Sequence, residues 1–130
     1  MPKAILIAVV EDDWLFRDSM NSLMRSLGYT VETFSSAADF LASPHLTETA
    51  CLIADIQMPA MSGLELHRYL IDAGFTIPTI LLTAYPNAAD RARALQDGVV
   101  CYIRKPLDEE HLMRCLHAAL SGSALPDEDR

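Results

Sequence analysis

The chain has 130 residues, 51% apolar and 22% charged, which suits one domain with a buried core and excludes disordered, collagen-like and coiled-coil organisations. Ten basic against eighteen acidic residues leave a net charge of −8 with no local basic patch, so neither nucleic acid nor an anionic membrane is an expected partner. The longest apolar run, Ala4 to Val10, ends in Glu11-Asp12-Asp13, too short to span a bilayer and followed by no cleavage site, so no membrane span or targeting segment is expected.

Ile5 to Val10 is a continuous aliphatic run of the kind that forms a strand covered on both faces. From Trp14 to Leu27 the period changes, with Phe16, Met20, Leu23 and Leu27 on one helical face and Gly28 as the stop. The alternation then repeats. Thr30 to Phe34 reads as a strand, Ser36 to Ala42 as a short helix ended before Pro44, residues 43–50 as surface loop and Cys51 to Ala54 as a third strand. Leu64 to Ala73 reads as a helix and Thr79 to Leu82 as a fourth strand behind Pro78. Pro86 suits the first turn of a helix running to about Gln96 and closed near Gly98. Val99 to Ile103 is a fifth strand, and Asp108 to Leu120 a last helix carrying Leu112, Leu116 and Ala119. Residues 1–120 thus form one domain, and Ser121 to Arg130, without an apolar period, reads as a frayed tail.

Five strand-helix units in this length predict an α/β fold, a doubly wound five-stranded parallel sheet with helices on both faces. Cys51, Cys101 and Cys115 lie in or beside apolar stretches without Cys-x-x-Cys spacing, and read as small core hydrophobes of a reducing compartment, the cytoplasm. His111 and Cys115 are four apart on a helix but have no further metal ligands nearby in sequence; His45, His67 and His117 read as surface. Trp14 reads as a partly exposed helix-start residue beside the acidic triplet, able to report metal binding by fluorescence, and Met58 and Met61 as loop anchors.

In doubly wound sheets ligands bind outside the carboxyl ends of the strands. There the sequence puts Glu11, Asp12 and Asp13 after the first strand, Asp55 after the third, Thr83 after the fourth and Lys105 after the fifth. Each alone has an ordinary reading: acids that complement a helix dipole, a turn aspartate, a strand-end hydroxyl, a solvated lysine. Together they make a site. Carboxylates crowded in a cleft repel until a proton or a cation joins them, and an all-oxygen donor set favours Mg²⁺, with Mn²⁺ as substitute. Thr83 and Lys105 supply the groups that hold phosphoryl oxygens, and Asp55 can serve as nucleophile.

Glu11-Asp12-Asp13 with Arg17 following, Asp55-x-x-Met58-Pro59-x-Met61-Ser62-Gly63, Pro78-x-Ile80-x-x-Thr83-Ala84 and Tyr102-x-x-Lys105-Pro106 together resemble the receiver domain of two-component response regulators. The resemblance covers residues 4–120. It implies the flavodoxin-like strand order 2-1-3-4-5 and a phosphorylation switch, with Asp55 as phosphoacceptor from a sensor histidine kinase or histidine phosphotransfer protein. It implies Asp12 as direct metal ligand, Glu11 as ligand through water, the Gln57 carbonyl as a further ligand, and Asp13 as a helix-start residue. Thr83 and Lys105 would contact the phosphoryl group, and Thr83 with Tyr102 would form the switch. Gln57 and Tyr85 would tune water access, and small Ala84 would admit the phosphoryl group close to its backbone. Glu11 departs from the more usual aspartate.

The output implied is protein contact through a surface formed by roughly residues 86–119, with an unidentified target or a homodimer, in a stand-alone receiver or one excised from a longer regulator. On this reading the protein is a signalling switch rather than an enzyme. Two alternatives compete. A Mg²⁺-dependent phosphohydrolase would use the same nucleophile, but the position two residues on, where a general acid is needed, is Gln57. A flavin-binding module would need a Ser/Thr/Gly-rich phosphate loop where the acidic triplet stands.

Overall fold

The computed structural model describes residues 4–122. In chain order it comprises β1 (Leu6–Val10), α1 (Trp14–Ser26), β2 (Thr30–Phe34), α2 (Ala37–Leu41), a 3₁₀ turn (Leu46–Glu48), β3 (Cys51–Asp55), α3 (Gly63–Asp72), β4 (Thr79–Thr83), α4 (Ala88–Gln96), β5 (Cys101–Arg104) and α5 (Glu109–Ser121). The five strands form one parallel sheet in the order β2-β1-β3-β4-β5, the order that the resemblance implies. From residue 123 on, the segment read as a tail lies outside the described residues.

Strand alternation divides the core in two. Ile7 and Val9 of β1, Ile53 of β3, and Ile80 and Leu82 of β4 point to one face, where Met20 and Met24 of α1 and Leu112 and Leu116 of α5 cover them. Ala8, Val10, Leu52, Ala54 and Leu81 point to the other, against Phe40 of α2, Leu64, Leu66 and Leu70 of α3, and Ala94 of α4. Continuous apolar runs in β1, β3 and β4 therefore follow from burial on both faces, whereas the edge strand β2 alternates with exposed residues. Met58 and Met61 pack against the second cluster, as loop anchors do.

Helix starts follow their capping residues. Asp13, Ser36, Ser62, Asn87 and Asp108 each accept a backbone N–H of the first turn. Because Asn87 caps α4 by accepting from the Asp90 N–H at 2.8 Å, Pro86 lies ahead of the helix rather than in its first turn. At Ser62 the cap is reciprocal: its Oγ accepts from the Glu65 N–H at 3.1 Å, and Glu65 Oε1 accepts from the Ser62 N–H at 2.9 Å.

Two other expectations are corrected. His67 is buried, only 5% exposed, because it lies beside Leu66 on the inward side of α3 rather than at the surface. Cys101 and Cys115 are not separate core thiols. The return of α5 alongside β5 brings their Cα atoms to 6.1 Å and the sulfurs are joined as a disulfide, which removes the cysteine argument for a reducing compartment. Cys51 remains a free, buried thiol.

Two backbone positions between β3 and α3 are tightly determined. A Cβ on Gly63 would stand 2.5 Å from the Asp55 carbonyl oxygen, so glycine is required where α3 begins against the end of β3. Ala60 has φ of 68°, in the left-handed region that a Cβ disfavours. Gly63→Ala is expected to destabilise by about 1–3 kcal/mol, the usual cost of overpacking. Ala60→Gly is expected to stabilise by about 1 kcal/mol through relief of that strain. Urea unfolding of the two variants beside the wild type measures both.

Candidate functional site

The strand order reverses between β1 and β3, and the register brings the ends of β1, β3 and β4 to one edge, with Val10 opposite Ala54 and Asp55 opposite Leu82. Glu11 and Asp12 leave β1, Asp55 ends β3 and Thr83 ends β4. Carboxylate oxygens of Glu11, Asp12 and Asp55 lie within 4.8 Å of one another. Glu11 and Asp55 are buried, while Asp12 is exposed. Asp13 points away, capping α1 by accepting from the Leu15 N–H at 3.1 Å.

Lys105 reaches this edge from beyond β5. Its ammonium donates to Glu11 Oε1 at 2.8 Å and lies 3.1 Å from Asp55 Oδ1. It also stands 4.1 Å from the Phe16 ring centroid, where the aromatic face attracts the cation. Glu11 is held further by the Asp13 N–H, which donates to Oε2 at 3.1 Å, and by Arg17, which donates to the Glu11 carbonyl at 2.7 Å.

Burial raises the Glu11 pKa; the Lys105 and Asp13 hydrogen bonds oppose it, and the nearby Asp55 charge adds to it. Burial likewise raises Asp55, against Lys105, with Asp12 pushing further upward. For Lys105, burial alone would lower the pKa, but the Glu11 hydrogen bond and the Asp55 and Glu11 charges outweigh it and hold the ammonium above its ordinary value. One ammonium is therefore not enough for the carboxylates around it. Asp55 Oδ1 is buried, and despite its ion pair with Lys105 it has no well-directed hydrogen bond. An acceptor left in that condition among three carboxylates fits a hard divalent cation, whose ligands are oxygens.

Thr83 is fully buried, and its hydroxyl donates to Gln57 Oε1 at 2.9 Å and accepts from the Tyr85 N–H at 3.0 Å. Ala84 and Tyr85 beside it are exposed. Tyr102 is buried, and its hydroxyl accepts from the Asn87 N–H at 3.2 Å, joining β5 to the start of α4. Trp14 is 63% exposed at the start of α1. The sequence-predicted residues thus share one edge, except that Tyr102 lies below it in the β5 layer.

Three contacts were not foreseen. Periodicity places Phe16 on the apolar face of α1, and in the fold its ring also stands against the Lys105 ammonium. Gln57 engages Thr83 through its side chain, and Asn87 engages Tyr102 through its backbone. Each joins residues well apart in the chain, and no spacing signals them.

A family model described as the response regulator receiver domain matches residues 7–117. Response regulator protein TodT of Pseudomonas putida is 37% identical over 118 residues, which are 91% of this chain and 52% of TodT. Transcriptional regulatory protein FixJ of Azorhizobium caulinodans is 31% identical over 124 residues, 95% of this chain and 59% of FixJ. The chain spans a little over half the length of these curated relatives. Among solved structures, the crystal structure of FixJ-N superposes with a TM-score of 0.83 at 28% identity, over 96% of this chain and 100% of that one. Response regulator StyR superposes with a TM-score of 0.85 at 33% identity, over 93% of this chain and 61% of that one.

Raised carboxyl pKa values mean that the folded state disfavours ionised Asp55, so its ionisation costs stability as pH rises from the ordinary carboxylate range through the higher folded value. Asp55→Asn, a neutral isostere, is expected to melt a few °C above the wild type at neutral pH without added metal. The gap should close as pH falls below about 3, where Asp55 is protonated in both states. Thermal melts of both proteins across that range test the sign.

Proposed function

The chain belongs to the response regulator receiver domain family, and on that premise we propose that Asp55 accepts a phosphoryl group from a phosphohistidine of a sensor histidine kinase or histidine phosphotransfer protein. The observation that carries this reading is a buried carboxylate at the end of a central strand, within 4.8 Å of Glu11 and Asp12 and next to the Lys105 ammonium. An oxygen of Asp55 attacks phosphorus, the nitrogen–phosphorus bond breaks, and the histidine nitrogen leaves with the electron pair. The product is an acyl phosphate on Asp55. A divalent cation, Mg²⁺ or in its place Mn²⁺, held by Asp12, Asp55 and the Gln57 carbonyl and by Glu11 through water, would neutralise charge on the phosphoryl oxygens.

Lys105 then has a further anion to serve. Its ammonium, already beside Asp55, pairs with a phosphoryl oxygen and loosens from Glu11. Thr83 exchanges its Gln57 acceptor for another phosphoryl oxygen, and exposed Ala84 leaves the approach to that backbone open. Movement of Thr83 biases Tyr102, which is already turned inward and hydrogen-bonded to Asn87, so that one added charge is read out at the start of α4. The changed surface of α4, β5 and α5 contacts a downstream protein or a second receiver.

Receiver relatives are response regulators, which supports a signalling switch in the cytoplasm rather than an enzyme that turns over small substrates. No helix among the described residues is long and apolar enough to cross a membrane. Gln57, whose amide oxygen accepts from Thr83, offers no general acid for the hydrolase alternative.

Incubation with Mg²⁺ and acetyl phosphate is expected to add one phosphoryl mass, labile to hydroxylamine, that requires the metal and is lost in Asp55→Asn; intact-mass spectrometry reads each condition. Released phosphate with no Asp55 adduct at any time point would instead favour hydrolysis. Titration with Mg²⁺ alone is expected to change Trp14 fluorescence and to stabilise the fold by about 2.7 kcal/mol at a hundredfold excess over Kd. Both responses should weaken in Asp12→Ala.

A further inference from the structure

Phosphoryl chemistry makes no use of the sulfur pair on the α1–α5 side of the sheet. Cys101 opens β5, Cys115 lies midway along α5, and the bond between them closes the chain over a separation of 14 residues. That ring contains Tyr102 and Lys105, the residue that carries the read-out and the cation that holds the acidic site. It also lies at the margin of the fold. β5 is an edge strand bonded only to β4, a position where local opening is least costly. Cys101 is 8% exposed and Cys115 fully buried. Cys51 lies in the central strand β3 as a free thiol, which burial pushes up to about 12.

We propose that Cys101 and Cys115 are a reversible redox pair, oxidised by a hydroperoxide and reduced by a dithiol, that clamps β5 to α5 and restrains the ring carrying Tyr102 and Lys105. Cys101, the less deeply buried residue of the two, attacks the terminal peroxide oxygen as a thiolate; the O–O bond breaks, an alcohol leaves, and a sulfenic acid remains. The Cys115 thiolate attacks that sulfur, the S–S bond forms, and water leaves. In sum, two thiols and one hydroperoxide give one disulfide, one alcohol and one water, the sulfurs losing the two electrons that the peroxide gains. A dithiol reverses the step by exchange and is itself oxidised to a disulfide. Closing the ring restricts the unfolded chain and, in the folded one, ties the strand that must accommodate the switch to the helix beside it.

The full chain, reduced with dithiothreitol and then titrated with hydrogen peroxide, is alkylated in denaturant and weighed intact. The reduced protein is expected to take three alkyl groups and the oxidised protein one, with dithiothreitol restoring three under native conditions. The oxidised form should melt roughly 10 °C higher. Cys101→Ser and the Cys101→Ala/Cys115→Ala double variant should show neither response, the second keeping the test valid where serine disturbs packing. With acetyl phosphate and Mg²⁺, oxidised protein should acquire its adduct several-fold more slowly than reduced protein. This last arm alone rests on the phosphoacceptor reading: an adduct missing from reduced wild type sinks that reading, while the thiol count and melts still decide the redox pair. Three thiols after peroxide, a disulfide that dithiothreitol cannot reduce in the native protein, or equal melting of the two states would each overturn the proposal.

Discussion

A single ammonium shared between buried carboxylates is the constraint on which the molecule turns. Lys105 stands 2.8 Å from Glu11 and 3.1 Å from Asp55, although β5, which it follows, is separated from β3 by β4. The flexible side chain spans that gap with its ammonium against Phe16, where the aromatic face adds attraction. Burial disfavours the ionised form of both acids, and the exposed charge of Asp12 adds to the load on Asp55. A site balanced this poorly gains by admitting further positive charge.

The backbone around the acids holds them there against that repulsion. Gly63 lets α3 begin almost in contact with the Asp55 carbonyl, and its N–H donates to the Ile56 carbonyl at 3.2 Å. The reciprocal Ser62–Glu65 cap fixes where the helix starts, and Ala60 accepts a strained conformation so that the loop can turn between them. Two apolar layers, one on each face of the sheet, supply the stability that such a site spends.

The far side of the site is built from weaker connections. β5 has one neighbour in the sheet, and Tyr102 in it reaches the first residue ahead of α4 by one hydrogen bond. The sulfur link from Cys101 to Cys115 is the covalent constraint on that margin.

The amino-acid sequence alone determined the five strand-helix units and the gathering of Glu11, Asp12, Asp55, Thr83 and Lys105 on one edge, because these follow from local periodicity and from residues that sit beside strand ends. The family motifs extended that reading to the strand order. Tertiary structure decided what depends on facing elements. His67 is buried because its side of α3 meets the core, and Cys101 meets Cys115 because α5 packs back on β5. The Phe16 wall, the Gln57 acceptor and the Asn87–Tyr102 bond belong to the same class. Local pattern reports which way a residue faces along its own element, and contact energies between elements become defined only when the elements are packed.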